Sequence, residues 1–186
     1  QTPMCAELIA KALIGTGIPE GLFQYIHTDH SSCEKIISDS RIAHVVFTGS
    51  VNGGKEIKKY IGQRFINVGL ELGGKDPAYV RSDCDLNHAI ENLIDGAFFN
   101  SGQSCCGIER IYVDKSIFKD FVDGAKSLTE KYILGDPSDS NTNLGPVVRM
   151  SAANFIRSQM EEAIAQGANK IVDESKFEIA SLDNCY

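Results

Sequence analysis

The sequence has no apolar run that approaches the length of a transmembrane helix, and it has no excess of positive charge. Its 18 lysines and arginines are outnumbered by 25 aspartates and glutamates, which gives a formal net charge of −7. This charge disfavours nucleic acids and anionic membranes as partners, and we predict neither. Internal repeats and low-complexity segments are also missing. What remains is an ordinary globular composition, in which 186 residues with 42% hydrophobic side chains suffice for one domain or two small ones.

The 6 cysteines lack the paired spacing of a disulfide framework. They are Cys5, Cys33, Cys84, Cys105, Cys106 and Cys185. This usage is typical of a reducing compartment, and we expect a cytoplasmic location. The stretch from His27 to Cys33 contains metal-ligating residue types but lacks a second ligand cluster, so a surface loop is the favoured interpretation and no metal site is predicted.

Helix and strand patterns alternate along the chain, which predicts a parallel α/β sheet covered by helices. In the first part we expect a helix from Pro3 to Gly15 with Thr2 as its cap, a strand over 22–26, a helix through Ile37 capped by Ser31 or Ser32, a strand over 43–48, a helix over 55–65 and a strand over 66–70. In the second part we expect a strand over 77–80, a helix from Asp83 or Asp85 to Phe98, a strand over 111–113, a helix over 117–128 capped by Ser116, a helix over 151–166 closed by Gly167, and a strand over 170–172.

A helix leads into a pair of adjacent cysteines. Apolar residues recur at helical spacing from Leu86 to Phe98, which predicts a helix buried along one face. The pattern stops at the breakers 100–102, and Cys105 and Cys106 follow. A thiol held by a loop on a rigid scaffold suits a nucleophile, whereas free cysteines are also typical of small buried hydrophobic positions. These residues alone leave both interpretations open.

A carboxylate and two glycines follow the predicted strand 66–70. Glu71 comes at the end of this strand, and Gly73 and Gly74 come just after it. Glycine pairs allow backbone to approach a ligand or another strand closely. Taken alone, Glu71 reads as a surface residue.

A glycine-rich stretch from Gly49 to Gly54 lies between the strand 43–48 and the helix 55–65. The bare N–H groups at the start of a helix form a site for phosphate when no bulky side chain covers them. The spacing is not the Gly-x-Gly-x-x-Gly of a dinucleotide fingerprint, so a plain helix entry is the alternative.

Two of these stretches together resemble the signature motifs of the NAD(P)-dependent aldehyde dehydrogenase family. They are Leu-Glu-Leu-Gly-Gly-Lys at residues 70–75 and Phe-x-x-x-Gly-Gln-x-Cys at residues 98–105, in the family's order and at its spacing. Residues 47–50, Phe-Thr-Gly-Ser, are similar to the family segment at which the coenzyme diphosphate meets a helix.

The resemblance implies a chemistry for two residues. Cys105 is at the position of the nucleophile, whose thiolate attacks an aldehyde to give a thiohemiacetal and then a thioester. Glu71 resembles the general base that activates water for hydrolysis of this thioester. Burial beside Leu70 and Leu72 is expected to raise the pKa of Glu71, and the backbone N–H of Cys105 is expected to donate to the oxyanion.

The resemblance also implies NAD or NADP as cofactor, a small aldehyde as substrate, and a homodimer or homotetramer for the full-length protein. The implied cofactor-binding residues are Gly49, Ser50, Val51, Asn52, Gly53, Gly54, Leu72 and Gly73. Residues 1–70 are expected to be the C-terminal half of a Rossmann-like cofactor domain, and residues 71–186 the N-terminal part of an α/β catalytic domain. We expect an internal fragment of the family fold that is inactive alone. The alternatives are a cysteine acyl-transferase or hydrolase without nicotinamide, and a non-catalytic remnant.

Overall fold

The computed structural model describes residues 2–177. Its contacts divide the chain into 2 compact units, Gln1–Leu72 and Gly73–Tyr186. Within residues 2–177, no helix combines the length and the apolar character needed to cross a membrane.

The first unit contains a parallel strand pair joined by a helix. Its elements are α1 (Pro3–Ile14), α2 (His30–Ser38), β1 (His44–Gly49), α3 (Val51–Ile61) and β2 (Asn67–Leu72). Strands β1 and β2 pair in parallel, with Val45 opposite Val68 and Gly49 opposite Leu72. The apolar faces of α2 and α3 pack on this pair, and the buried centre is formed by Ile37, Val45, Ile57 and Ile61. This βαβ arrangement confirms the predicted parallel pairing and places Gly49 at the carboxyl end of β1.

Three predictions in this unit were wrong. Residues 22–26 form no strand, because no other strand in the described part of the chain pairs with them. Helix α2 is capped by Asp29, whose side chain accepts a hydrogen bond from the backbone N–H of Ser32 at 2.8 Å, rather than by a serine. Helix α3 begins at Val51, so Gly53 and Gly54 belong to its first turn instead of preceding it.

The second unit repeats the strand–helix–strand pattern. Its elements are β3 (Asp76–Val80), α4 (Leu86–Phe98), β4 (Ile108–Val113), α5 (Phe118–Thr129), α6 (Met150–Ala165) and a short 3-10 turn over Glu174–Lys176. Strands β3 and β4 pair in parallel, with Ala78 opposite Ile111. Val80, Ile90, Ile94 and Phe121 form the buried centre. Gly124 lets α4 and α5 approach closely, because a Cβ atom at that position would lie 2.5 Å from Cδ1 of Ile90.

The long helix before the cysteines is confirmed, and its cap is Asp85, which accepts from the N–H of His88 at 3.1 Å. Ser116 does not cap α5: its N–H and hydroxyl both donate to Asp114, at 2.9 and 2.6 Å. Residues 170–172 form no strand; the ammonium of Lys170 instead pairs with Glu174 at 2.5 Å. Cys185 lies outside the described residues.

Candidate functional site

The segment between α4 and β4, residues 99–107, is called the thiol loop here. Its backbone turns through three consecutive left-handed residues, Asn100 (φ 51°), Ser101 (φ 58°) and Gly102 (φ 72°). Glycine adopts this conformation freely, but each of the other two pays about 1–3 kcal/mol for it. Such strain persists only where the surroundings hold the backbone in place, and it is concentrated at functional sites.

Four side-chain hydrogen bonds hold this strained backbone. Asn100 Nδ2 donates to the carbonyl oxygen of Gln103 at 3.0 Å, and Gln103 Nε2 donates back to the carbonyl oxygen of Asn100 at 3.1 Å. The hydroxyl of Ser101 donates to the carbonyl oxygen of Gly145 at 2.6 Å. The N–H of Val148 donates to Gln103 Oε1 at 2.9 Å. The segment 145–148 is therefore bonded directly to the thiol loop.

Both cysteines of the loop lie at the corner of a tight turn. The N–H of Gly107 donates to the carbonyl oxygen of Ser104 at 3.3 Å, with Cys105 and Cys106 between them. Both thiols are exposed, so their interpretation as small buried hydrophobic residues was wrong. An exposed thiol on an anchored loop is the arrangement expected of a reactive cysteine.

Gly74 brings the chain close to the thiol loop. A Cβ atom at Gly74 would lie 3.3 Å from the carbonyl oxygen of Cys105 and 2.8 Å from Oδ1 of Asp76. Nearby, the side chains of Lys75 and Glu109 form an ion pair, and Arg110 donates to the carbonyl oxygen of Lys75 at 3.1 Å. The second glycine of the motif at residues 70–75 therefore leaves room for the backbone that carries the nucleophile candidate.

At the C-terminal end of α4, next to the thiol loop, two aromatic rings pack against each other. The rings of Phe98 and Tyr132 lie 5.5 Å apart between centroids. Burial raises the pKa of Tyr132. This aromatic contact therefore helps to fix the position of Phe98, the last residue of α4 before the thiol loop.

Glu71 lies within β2 rather than after it, opposite Thr48 of β1. It is exposed, and the predicted burial beside its two leucine neighbours was wrong. The reason is the alternation of a strand, since Leu70 and Leu72 point to the opposite face, towards α3. Glu71 belongs to the first unit and Cys105 to the second.

The start of α3 has the features of a phosphate site. The hydroxyl of Ser50 caps the helix by accepting from the N–H of Gly53 at 3.1 Å. Among residues 2–177, the N–H groups of Val51 and Asn52 find no acceptor, and the first turn carries no acidic side chain. Free N–H groups at the positive end of a helix suit an anion such as a coenzyme diphosphate, so these residues fit the cofactor that the resemblance implies.

The glycines of this stretch also serve packing that the sequence analysis missed. A Cβ atom at Gly49 or at Gly53 would lie 2.6 Å from Cζ of Phe47, whose ring fills this space. Gly54 faces Leu72, because a Cβ atom on it would lie 3.0 Å from Cδ2 of that leucine. In contrast, Gly73 has open space where a side chain would be.

The prediction of a surface loop over residues 27–33 holds only up to Asp29, because α2 begins at His30, and the remaining loop contacts α1. Nε2 of His27 lies 3.3 Å from a carboxylate oxygen of Glu7, and the ring of His27 packs edge-on against Tyr25. In the part of the chain that the structure describes, no three histidine, cysteine, aspartate or glutamate side chains are grouped in a way that suits a metal ion.

The fold and the site define a class of α/β protein with an exposed cysteine on an anchored loop and a glycine-rich helix start after a parallel strand. A family model described as "Aldehyde dehydrogenase family" matches residues 1–185, and the chain belongs to this family.

Individual relatives agree with this assignment. Succinate semialdehyde dehydrogenase [NAD(P)+] Sad of Escherichia coli K12 is 34% identical over 182 residues, which are 98% of this chain and 39% of that protein. An aldehyde dehydrogenase structure from Bartonella henselae superposes with a TM-score of 0.90 at 28% identity, covering 99% of this chain and 39% of the other. A betaine aldehyde dehydrogenase structure from Staphylococcus aureus in complex with NAD+ has a TM-score of 0.81 at 31% identity, covering 87% and 32%. The chain thus spans well under half the length of these relatives.

Proposed function

We propose that this chain supplies the nucleophile and part of the coenzyme site of an enzyme that oxidises a small aldehyde to a carboxylic acid with NAD or NADP. The observation that carries the proposal is the exposed Cys105 on a strained loop held by four hydrogen bonds, in a chain of the aldehyde dehydrogenase family. The named substrates of relatives, succinate semialdehyde and betaine aldehyde, support an aldehyde as the substrate class.

The covalent steps centre on Cys105. Its thiolate attacks the carbonyl carbon of the aldehyde to form a thiohemiacetal. The backbone N–H of Cys105, which has no acceptor among residues 2–177, is available to the oxyanion of this intermediate. When bound, NAD or NADP supplies the hydride acceptor for the oxidation. Loss of hydride from the former aldehyde carbon leaves a thioester on Cys105.

Glu71 is the proposed base for the second half of the reaction. Its carboxylate takes a proton from the water that attacks the thioester, which releases the carboxylic acid and restores the thiol. Its exposed position in β2 gives water direct access to the carboxylate.

The coenzyme diphosphate is proposed to bind at the start of α3. The free N–H groups of Val51 and Asn52 donate to its oxygens, and the helix dipole favours its negative charge. Gly49, Ser50 and Gly53 form the strand-to-helix junction beneath it. Gly54, Leu72 and Gly73 complete the predicted set; the first two pack against each other, and the third presents bare backbone.

The deciding experiment compares the two adjacent cysteines in the full-length enzyme. Cys105→Ala is expected to abolish NAD(P)-dependent aldehyde oxidation, whereas Cys106→Ala is expected to keep most of it. Retained turnover in Cys105→Ala, or the reverse pattern, would overturn the proposed role. A cysteine hydrolase without nicotinamide would instead hydrolyse a thioester or ester substrate while forming no NADH.

The remaining expectations from the sequence stay predictions. They are the cofactor-domain role of residues 1–70, the catalytic-domain role of residues 71–186, a cytoplasmic location, a homodimer or homotetramer for the full-length enzyme, and inactivity of the 186-residue chain alone.

A further inference from the structure

Gln103 forms an unusually complete set of hydrogen bonds for an exposed side chain. Its Oε1 accepts from the N–H of Val148 at 2.9 Å, and its Nε2 donates to the carbonyl oxygen of Asn100 at 3.1 Å. Its backbone N–H donates to the same carbonyl oxygen at 3.1 Å, and its own carbonyl oxygen accepts from Asn100 Nδ2 at 3.0 Å. The residue thus connects the strained turn of the thiol loop with the segment that follows Gly145.

The residue that makes these bonds lies close in the sequence to Cys105, the proposed nucleophile. Gln103 precedes Cys105 by two positions and follows directly after the left-handed residues 100–102. A loop with two non-glycine residues in this conformation would relax to another path if its anchors were removed. Such a change of path would move the backbone that carries the Cys105 thiol and its N–H.

The side chain of glutamine is specifically suited to this arrangement. One end of its amide accepts and the other donates, so a single planar group serves both Val148 and Asn100. Glutamate keeps the acceptor but loses the donor when ionised, and methionine keeps the length but loses both. The side chain of asparagine is one methylene shorter than that of glutamine, so its amide is too short to span Val148 and Asn100.

Gln103 contributes little to the core. Its side chain is exposed, so truncation opens no cavity and leaves the packing of α4, α5 and β4 unchanged. A substitution there should therefore change the position of the loop more than the stability of the fold. This separation makes the role of Gln103 testable.

We infer that Gln103 is a positioning residue, which holds Cys105 in its reactive position by clamping the thiol loop between Asn100 and Val148. The inference rests on the proposed function, in which Cys105 is the nucleophile. Misplacement of a reacting group by about 1 Å can cost roughly 10²-fold in rate, so loss of the clamp should appear in kcat.

The test uses Gln103→Met in the full-length enzyme, with Gln166→Met as the matched control. Gln166 is also exposed, and among residues 2–177 its side-chain amide bonds only to Glu162, outside the thiol loop. We expect Gln103→Met to lower kcat per titrated Cys105 by roughly 10- to 100-fold, with KM values and the melting temperature close to those of the control. Active sites are counted in a Cys106→Ala background from the mass of the alkylated peptide that contains Cys105 after reaction with iodoacetamide, because Cys5 is also an exposed thiol.

Gln103→Glu adds a readout that a purely structural role would not change. Protonation of the new carboxyl group recreates both the donor and the acceptor of the native amide. The ratio of its kcat to that of the wild type should therefore rise as the pH is lowered from about 8 to about 5, towards the ordinary range of a glutamate pKa. This variant also carries the test if Gln103→Met does not fold.

The outcomes separate the clamp from the proposed function. A wild-type kcat per active site in Gln103→Met, or a ratio for Gln103→Glu that does not change with pH, would overturn the clamp. If Cys105→Ala is inactive while Gln103→Met turns over normally, only the clamp fails. If Cys105→Ala is active, the proposed function itself fails.

Discussion

The hydroxyl of Ser101 donates a hydrogen bond of 2.6 Å to the carbonyl oxygen of Gly145, a residue far along the chain. Ser101 has a φ of 58°, a conformation that glycine adopts more readily than serine. The serine is retained at a strained position where its hydroxyl reaches a partly buried backbone acceptor. The hydrogen bond offsets part of the energetic cost of the strained backbone. The strained backbone in turn orients the hydroxyl of Ser101 towards the carbonyl oxygen of Gly145.

This relationship predicts an unusual order of stability for substitutions at Ser101. Ser101→Ala keeps the strain and leaves the acceptor of Gly145 without its partner, which should cost about 1–3 kcal/mol. Ser101→Gly loses the same bond but relieves the strain, so it should be more stable than Ser101→Ala by about 1 kcal/mol. Urea unfolding midpoints of the full-length enzyme measure this difference.

The matched control for this prediction is Ser158, an exposed residue inside α6 whose hydroxyl bonds only locally. There glycine should be less stable than alanine by roughly 1 kcal/mol, because glycine is unfavourable in a helix. The same order at both positions would show that the left-handed conformation of Ser101 carries no strain.

For Glu71, the proposed role predicts a separation of the two half-reactions. Glu71→Gln should allow hydride transfer but slow thioester hydrolysis by roughly 10²- to 10⁴-fold, because the amide cannot take a proton from water. Rapid-mixing measurements should show a burst of NADH with little turnover afterwards. Glu56→Gln, on the exposed face of α3, serves as the control and should resemble the wild type. Loss of the burst as well would assign Glu71 to an earlier step, such as activation of Cys105.

Local patterns predicted the framework of the site well. The apolar period of α4 and its end at residues 100–102 follow from contacts between neighbours in sequence, so the position of the thiol loop was predictable. Strand β1 is a local feature in the same sense, whereas the start of α3 at Val51 and the capping role of Ser50 were not predicted. Predictions failed at the starts and caps of helices, and where a partner distant in sequence decides the outcome. The segment 22–26 has the composition of a strand but no neighbouring strand in the described residues.

Contacts between residues that are far apart in the sequence could not be predicted from the residue types. Nothing in the residue types pairs Gln103 with the N–H of Val148, because a backbone donor is present at almost every position. The ring of Phe47 under Gly49 was missed for a similar reason: the glycine suggested space for a ligand, and an adjacent side chain fills part of that space. The exposure of Glu71 could have been predicted from the alternation of side chains between the two faces of a strand, if β2 had been extended to Leu72.

The packing of Phe47 makes Gly49 a poor site for testing the phosphate proposal, and Asn52 is a better one. Asn52→Asp adds a negative charge at the second helical position of α3, where it should stabilise the helix by about 0.3–1 kcal/mol. The same charge repels a coenzyme diphosphate, so the KM for the coenzyme should rise several-fold while that for the aldehyde changes little. Steady-state kinetics with each substrate varied in turn measures both constants.

Asn87 provides a matched control, because it is the exposed second residue of α4 and follows the cap Asp85. Asn87→Asp should bring the same helix stabilisation with no change in either KM. Equal KM values for the coenzyme in Asn52→Asp and Asn87→Asp would exclude the start of α3 as the diphosphate site.

The acid side of the stability profile should depend on Asp39. Hydrogen bonds from the guanidinium of Arg41, at 2.8 and 2.9 Å, hold the pKa of Asp39 well below its ordinary value of 3.8. A carboxyl whose pKa is lower in the folded state stabilises the fold above about pH 4, and this contribution is lost as the pH falls further. Asp39→Asn should therefore lower the melting temperature more at pH 7 than at pH 2, where part of the contribution of Asp39 has been lost. A constant difference across this pH range would contradict the linkage.

The last prediction concerns the 186-residue chain alone, which spans 39% of its Escherichia coli relative. It should form no measurable NADH from a simple aldehyde, because catalysis requires a hydride acceptor held at near-attack distance, and we propose that this chain supplies only part of the coenzyme site. The exposed Cys105 should nevertheless be alkylated by iodoacetamide, which separates loss of coenzyme positioning from loss of the thiol loop. The chain should also associate, since among residues 2–177 β1 and β2 form a two-stranded sheet with two open edges, and Phe65 is fully exposed. Light scattering tests the association, and a monomer that oxidises aldehydes at ordinary enzymatic rates would refute the prediction.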